Sequence, residues 1–276
     1  MIKRPKTYIG VSMKKENKLE PYTYHSSQIE NAVQSNSIVR SAQGLTIVEK
    51  RILLMAIAKT KGSITTLEIH AEDYAETFDL DVAVAYTELK KASLGFMKKQ
   101  FTLTTNEEYK NKIREVKTTY NWLSYVKYIK DSGILEIKFN SDIYPMLFEL
   151  TGNFTKYQLK QASALRSIYS VRLLEMFESV VQSNVIHKDK QGNTTSTTKR
   201  DGGCLKIHID DFNHAMETPR SYRESFKDLK RRIIEPVIKE LEEKYDWKIE
   251  YRMIKNGRKV AMLEFEFSRN IQGRLF

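Results

Sequence analysis

The sequence predicts an α+β fold in which one architectural unit is used twice, and three observations carry that prediction. The first is a repeated order of elements: each half runs long amphipathic helix, strand, short helix, longer helix and hairpin. The second is a local match inside that order. Asp73-Tyr74 opens the short helix of the first half and Asp211-Phe212 that of the second, while Tyr86-Thr-Glu-Leu-Lys-Lys corresponds to Phe226-Lys-Asp-Leu-Lys-Arg in the helix that follows. The third is the succession short helix, tight turn, longer helix, hairpin, which is the order of a helix-turn-helix with a wing. From Asp73 to Leu89 is 16 residues and from Asp211 to Leu229 is 18, so a two-residue turn insertion separates the halves. The predicted architecture is two tandem winged-helix domains related by internal duplication.

Each element has a local reason. Residues 1–28 are expected to form a flexible arm, with six basic and two acidic residues in the first twenty and little apolar periodicity. The first winged-helix domain is expected over residues 29–152. After a short strand and loop, Thr46 and Glu49 make a capping box for a helix through Lys59, with Leu53, Leu54, Ile57 and Ala58 at helical spacing. Ser63–His70 alternates as a strand and Ala71–Phe78 suits a short helix. Val82–Lys99 suits a longer one, with Val82, Tyr86, Leu89, Leu94 and Met97 expected on its apolar side. Phe101–Thr105, Val116–Lys130 and Ile134–Phe139 are rich in Thr, Val, Tyr and Ile and predict the wing. Gly152-Asn153 is the expected boundary.

The second winged-helix domain is expected over residues 153–276. Thr155–Ser183 reads as helix, with Leu159, Ile168, Leu173, Phe177 and Val181 buried. The polar stretch 187–203 predicts an exposed loop or hairpin tip. Leu205–Ile209 is a strand, Asp210–Met216 a short helix and Tyr222–Lys244 a long one, interrupted where Pro236 cannot donate to the Arg232 carbonyl. Trp247–Ile254 and Val260–Phe267 close as a hairpin around Asn256-Gly257.

Composition narrows the function. The 46 Lys and Arg exceed the 35 Asp and Glu by 11, which favours a polyanionic partner, nucleic acid or an anionic membrane surface. With one cysteine, Cys204, no internal disulfide forms, so a reducing compartment fits. No apolar run is long enough to span a bilayer and no signal-peptide core follows the basic start, so the chain is expected to be soluble and cytoplasmic, with no membrane partner.

The strongest candidate site is the helix near Tyr222, where Arg223, Lys227, Lys230, Arg231 and Arg232 face Glu224 and Asp228, a local balance of +3. Phe226, Leu229, Ile233, Val237 and Leu241 dock this helix on the core, leaving Arg223, Lys227, Lys230 and Arg231 outward, where a helix of this kind fits the major groove. Arg220, in the preceding turn, suits a phosphate. The equivalent helix of the first half offers Lys90, Lys91, Lys98 and Lys99 and no arginine, which suits backbone contact rather than base reading. Lys110, Lys112, Arg114 and Lys117 in the first wing, and Lys188, Lys190, Lys199 and Arg200 in the second, are candidate clamps on the duplex.

Catalytic motifs are missing from the sequence. There is no phosphate-binding G-x-x-x-x-G-K-[ST] loop, and five scattered His with one Cys make neither a zinc set nor a Cys/His dyad. A nickase would need two His flanking one apolar residue, and the nearest candidate is His208-Ile209-Asp210. No enzymatic activity and no cofactor are expected. The residues leave open a winged-helix transcriptional repressor and, on weaker grounds, an origin nickase or relaxase.

Three segments carry a resemblance. Asn36-Ser-Ile-Val with Leu45-Thr-Ile-Val-Glu-Lys-Arg-Ile-Leu-Leu-Met-Ala-Ile, Tyr157-Gln-Leu-Lys with Leu165-Arg-Ser-Ile-Tyr-Ser-Val-Arg-Leu-Leu-Glu, and Phe226-Lys-Asp-Leu-Lys-Arg-Arg-Ile-Ile-Glu-Pro-Val-Ile-Lys-Glu-Leu resemble theta-type, iteron-binding plasmid replication initiators. The resemblance covers roughly residues 35 to 267 and the middle segment is the most specific. It implies binding to direct repeats in double-stranded origin DNA, opening of adjacent AT-rich DNA, and recruitment of the host initiator and replicative helicase. It also implies a monomer–homodimer equilibrium through the first domain, with the dimer repressing the initiator's own gene, in a bacterial cytoplasm beside the plasmid. By position it makes Arg223, Lys227, Lys230 and Arg231 the DNA readers, and Arg166 and Arg172 phosphate or structural partners. The arm and the loop 187–203 have no counterpart in the resemblance.

Overall fold

The computed structural model describes residues 31–60, 66–148, 154–181, 185–188, 194–198 and 202–269. Helix α2 (Ile47–Lys59) follows α1 (Asn36–Arg40), and its start is fixed by sequence chemistry alone. Thr46 Oγ1 accepts the Glu49 amide at 3.3 Å while the Glu49 carboxylate accepts the Thr46 amide at 2.8 Å, closing the expected capping box. The body of the helix is buried on nearly every side, polar residues included.

The two winged helices have the same topology. In the first, β2 (Leu67–His70), α3 (Ala71–Phe78) and α4 (Val82–Gly95) lead to β5 (Leu123–Ile129) and β6 (Ile134–Phe139), and the antiparallel sheet has the order β2-β6-β5. The first wing is the β5–β6 hairpin, whose turn carries Gly133 at φ +65°. A Cβ at that residue would lie 2.5 Å from the Tyr86 ring, so glycine is required twice over, for its backbone and for the close approach of α4.

In the second, β10 (Gly202–His208) and α8 (Ile209–Ala215) precede the short helices α9 (Arg220–Arg223) and α10 (Phe226–Leu229). A π-helical turn (Lys230–Ile234) joins α10 to α11 (Glu235–Tyr245), and β11 (Trp247–Asn256) with β12 (Lys259–Arg269) completes a sheet of order β10-β12-β11. In both sheets the last strand lies between the other two, as duplication requires.

The structure departs from the sequence reading in four principal places, and Asn36–Arg40, expected as loop, is the short helix α1. Val116–Lys130 is not one strand: it breaks at the buried Trp122. The first part, β4 (Lys112–Asn121), pairs with β3 (Gln100–Tyr109) in a hairpin inserted ahead of the wing. Lys110, Lys112, Arg114 and Lys117 therefore belong to this inserted hairpin and not to the wing. Its two-residue tip, Lys110-Asn111, has φ of 52° and 55°, the left-handed pair that a tight hairpin turn demands.

The buried side of α4 is also different. Ala85, Leu89, Ala92 and, just beyond, Phe96 are buried, whereas Val82, Leu94 and Met97 are 43%, 75% and 41% exposed. Small alanines let α4 lie close to the core, and spacing by three and four through Leu89 selects that face over the one with larger side chains.

Third, Thr155–Ser183 does not begin as helix. β7 (Phe154–Gln158) pairs antiparallel with β1 (Asn31–Ser35), from Asn31↔Gln158 to Ser35↔Phe154, before α6 (Leu159–Ser163) and α7 (Ile168–Val181). A helical wheel cannot register a strand whose partner lies more than a hundred residues upstream. The pairing also crosses the expected division between the halves, whose Gly152-Asn153 lies outside the described residues, as does the arm 1–28. Between α7 and β10, β8 (Val185–Lys188) and β9 (Thr194–Thr198) form a second hairpin outside the winged-helix plan. Lys188 lies on this hairpin, and Lys190, Lys199 and Arg200 lie outside the described residues. Fourth, Tyr222–Lys244 is not one α-helix: α9 ends at Arg223, and a π turn interrupts the helix that follows.

One apolar core runs through both halves. Phe177 of α7 stacks on Phe267 with ring centroids 4.0 Å apart, and Trp122 meets Phe101 at 4.4 Å and donates to the Gln43 carbonyl at 3.0 Å. Among the described residues no helix is long and apolar enough to cross a membrane.

Between α2 and α7 the core contains charge. Lys50 Nζ lies 2.5 Å from Glu175 Oε1 and 2.8 Å from Gln43 Oε1, and both ionic side chains are 0% exposed. Arg172 donates to the other Glu175 oxygen at 2.9 Å and to the carbonyls of Val39, Ser41 and Ala215 at 2.8, 2.6 and 3.1 Å. Burial pushes the Lys50 ammonium down to about 8, a shift that the adjacent Glu175 opposes.

Removing one partner from such a cluster costs more than the pair contributes, because uncompensated charge stays buried. Glu175→Leu, which strands two cations, should destabilise the protein by about 3–5 kcal/mol. Lys50→Met should cost less, since Arg172 still neutralises Glu175. Urea unfolding midpoints of the two variants measure the order; equal or reversed losses would remove Glu175 from the centre of the cluster.

Candidate nucleic-acid interface

The second helix-turn-helix begins with α8 and turns through Met216–Pro219 into α9. Arg223 is exposed, yet its Nε donates to the Thr218 carbonyl at 2.7 Å, so this side chain braces the turn from which it projects. Arg220 is almost fully exposed, with Nε 2.7 Å from the Glu224 carboxylate. Ser225 then caps α10, its hydroxyl accepting the Asp228 amide at 3.3 Å.

The expected long helix is thus a separate turn, α9, followed by a continuous helix made of α10, the π turn and α11. Within it, the break predicted at Pro236 takes the form of the π turn just before that residue, with the Glu235 amide reaching back to the Lys230 carbonyl. A ring without an N–H cannot continue the α-helical ladder, and the wider turn absorbs the mismatch. The extra residue also places Leu229, Ile233, Ile234, Val237 and Leu241 all against the core.

The cations of this helix divide by that geometry. Lys227, Arg231 and Arg232 are exposed. Arg231 and Arg232 share Asp228, at 3.1 and 3.8 Å, and Arg232 lies over the Tyr222 ring at 5.8 Å. The Ser225 hydrogen bond first, and then the two guanidinium groups, hold the Asp228 carboxyl below the usual carboxylate range. Asp228 thus orients two arginines that remain open to solvent, and an orienting acid of this kind lowers the entropy lost when a guanidinium engages a base edge or phosphate. Lys230 departs from expectation: half-buried, it turns toward Tyr251 on β11 and lies 3.5 Å from Glu235. The Tyr251 oxygen, followed by Glu235, raises its ammonium above the ordinary lysine range.

The second wing supplies cations that the sequence reading missed. At the tip of β11–β12 the two linking residues are Gly257 and Arg258, with Gly257 at φ +61° and open space where a Cβ would stand. Lys255, Arg258 and Lys259 are exposed, and no acid partners them among the described residues. The signal was the run Asn256-Gly257-Arg258-Lys259, a tight hairpin turn followed at once by two cations.

In the first domain Lys90 and Lys91 on α4, and Lys98 in the 3₁₀ turn that follows it, are exposed and have no acidic partner among the described residues. Lys99 is tied to Glu49 at 3.3 Å. Arg166 is placed differently from the others. Its guanidinium donates to the carbonyls of Phe78 and Asp79 at 2.8 and 3.3 Å, closing the C-terminal end of α3, and its own amide donates to Glu240 at 2.6 Å. Of its two expected roles, phosphate or structural partner, this geometry is the structural one. Arg172, fully enclosed in the buried cluster, is structural too. Among the described residues no three His, Cys, Asp or Glu side chains gather as a metal set.

This arrangement, two helix-turn-helix units with exposed cations on a helix and wing, can meet a duplex at two places. A model for the initiator replication protein's first winged helix matches residues 31–178, and one for the second winged helix of the initiator Rep protein matches residues 208–267. An uncharacterized 27.6 kDa protein of Escherichia coli is 23% identical over 246 residues, covering 82% of this chain and 90% of that protein. Among solved structures, the Pi initiator protein in complex with iteron DNA superposes with a TM-score of 0.68 at 21% identity, over 88% of this chain and 99% of that one, which establishes the shared fold. With both winged-helix modules matched in order along it, the chain belongs to the family of initiator replication proteins.

Proposed function

We propose that this protein initiates plasmid replication by binding direct repeats, iterons, in double-stranded origin DNA. The observation that carries the reading is the second helix-turn-helix: Lys227, Arg231 and Arg232 on one continuous helix, and Lys255, Arg258 and Lys259 on the adjoining wing, all exposed. Membership of the initiator family supplies the biological setting, and the fold shared with an initiator bound to iteron DNA supports duplex DNA as the partner.

In this proposal the second winged helix, within residues 153–276, reads bases through Arg231 with Arg232 and Lys227 beside it. Arg220, Arg223 and the wing cations hold phosphates, and Lys230 supports the helix from the wing side. The first winged helix, within residues 29–152, contacts the backbone through Lys90, Lys91 and Lys98 and carries the dimer contact. Bound monomers open adjacent AT-rich DNA and present the host initiator and replicative helicase with a loading site, while dimers repress the gene. The protein acts without enzymatic chemistry of its own, in the cytoplasm beside its plasmid.

A gel-shift titration against the repeats flanking the gene should show preference over unrelated duplex of equal length, and equal binding to both would overturn the proposal. A plasmid carrying only this gene and its repeats should be maintained; repression without maintenance would favour a transcriptional repressor instead. Arg231→Ala should cost about 1–3 kcal/mol and relax one position of the site, as loss of a base contact does. Lys259→Ala should weaken all sequences alike and lower the slope of log affinity against log salt by about 1, the behaviour of a phosphate contact.

A further inference from the structure

The two helix-turn-helix units are tied to each other at equivalent points. Asp79 and Glu217 each stand six residues after the aspartate of the matching Asp-aromatic pair, Asp73 and Asp211. Each follows the short helix of its unit and each has a left-handed backbone, φ 49° and 50°. Glycine or asparagine is the usual occupant of such a position, so a glutamate there suggests that its side chain is used.

The Glu217 carboxylate leaves its own domain. Its oxygens accept the Gln43 amide at 3.0 Å and the Gly44 amide at 2.9 and 3.0 Å, in the loop before α2. Successive amides with Gly44 at φ +65° form the concave nest that backbone uses to hold an anion. A Cβ on Gly44 would lie 3.1 Å from the Gln100 carbonyl, so the nest admits little else than glycine there.

The reverse contact mirrors it. Arg166, in the loop before α7, grips the Phe78 and Asp79 carbonyls at the turn of the first unit. The long helices repeat the exchange one layer deeper. Arg51 and Arg172 are each the fifth residue of their helices, α2 and α7. Arg51 donates to the Leu165 carbonyl at 3.4 Å and packs over the Phe78 ring at 5.5 Å, while Arg172 donates to Ser41, Val39 and Ala215. Each helix-turn-helix is therefore held at its turn by the segment preceding the other domain's long helix.

We propose that Glu217, with Arg166 as its counterpart, is a positioning residue: this reciprocal latch fixes the rotational phase between the two units, so that the protein measures the spacing between the two DNA segments it contacts. The inference rests on the duplex-binding reading above. The latch sits at the turns because a turn is where a small angular change is carried directly into the direction of the following helix.

Glu217→Gly is the variant of choice, since it deletes the carboxylate while favouring the left-handed backbone that the turn requires. In a full-length Cys204→Ser background, spin labels introduced at Glu76 and Lys239 report the interdomain distance by pulsed electron resonance, without DNA. With the labelled chain diluted in excess unlabelled chain, so that only intramolecular distances are read, one narrow distance peak is expected for the parent, and a broadened or split distribution for Glu217→Gly. In parallel, affinities are measured for the repeat flanking the gene, intact and with five base pairs inserted at its centre. The insertion should weaken the parent at least tenfold and the variant less than threefold.

An unchanged distance distribution overturns the latch whatever the DNA result. A broadened distribution with an undiminished insertion penalty overturns its role in spacing. If the parent shows no preference for the repeat, the replication reading fails, and the distance measurement still decides the latch.

Discussion

The buried cluster of Lys50, Glu175 and Arg172 is the constraint on which the arrangement of the two domains depends. Side chains of two long helices, one from each half, meet with charge between them, and that charge is tolerable only if every donor and acceptor meets a partner. Glu175 accepts from both cations, Arg172 spends its remaining N–H groups on carbonyls at the ends of α1 and α8, and Gln43 completes the shell around Lys50. An apolar contact between α2 and α7 would tolerate sliding. A hydrogen-bonded ionic one resists sliding and seats the two winged helices against each other, leaving their rotational phase to the contacts nearer the surface.

From that centre the polar contacts spread outward to the turns of the two helix-turn-helix units. Arg51 repeats the role of Arg172 on the pseudo-equivalent helix, and Glu217 and Arg166 carry the same exchange to the surface. A duplicated domain that kept its two copies independent would need none of these bonds. Their presence at matching positions means that duplication produced paired surfaces as well as paired folds.

The interface cations are organised by a related economy. On the helix proposed to read DNA Asp228 serves two arginines, and the π turn before Pro236 lets the same helix present Lys227 and Arg231 outward while Leu229, Ile233 and Ile234 face inward. The first domain uses exposed lysines without such orienting acids, which suits the less directional contact proposed for it.

The sequence by itself determined the capping box at Thr46, the duplication and the interruption at Pro236 of the helix proposed to read DNA, because each is a matter of spacing or of one residue's covalent chemistry. It also held the hairpin turn at Gly257 that points Arg258 and Lys259 outward, although those cations are recognised only once β11 and β12 are paired. The tertiary structure alone decided the rest. Trp122 ends a strand because its indole is anchored to the Gln43 carbonyl, far away in the chain. Phe154–Gln158 extends as a strand because β1 supplies its partner, and α4 buries alanines in place of Leu94 and Met97 because close helix approach outweighs side-chain size. Arg166 and Arg172, for which the resemblance implies phosphate or structural roles, and Glu217 carry no mark in the sequence of the partners they take. Their roles come from carbonyls and amides of the opposite half, and backbone groups of that kind leave no trace in residue type.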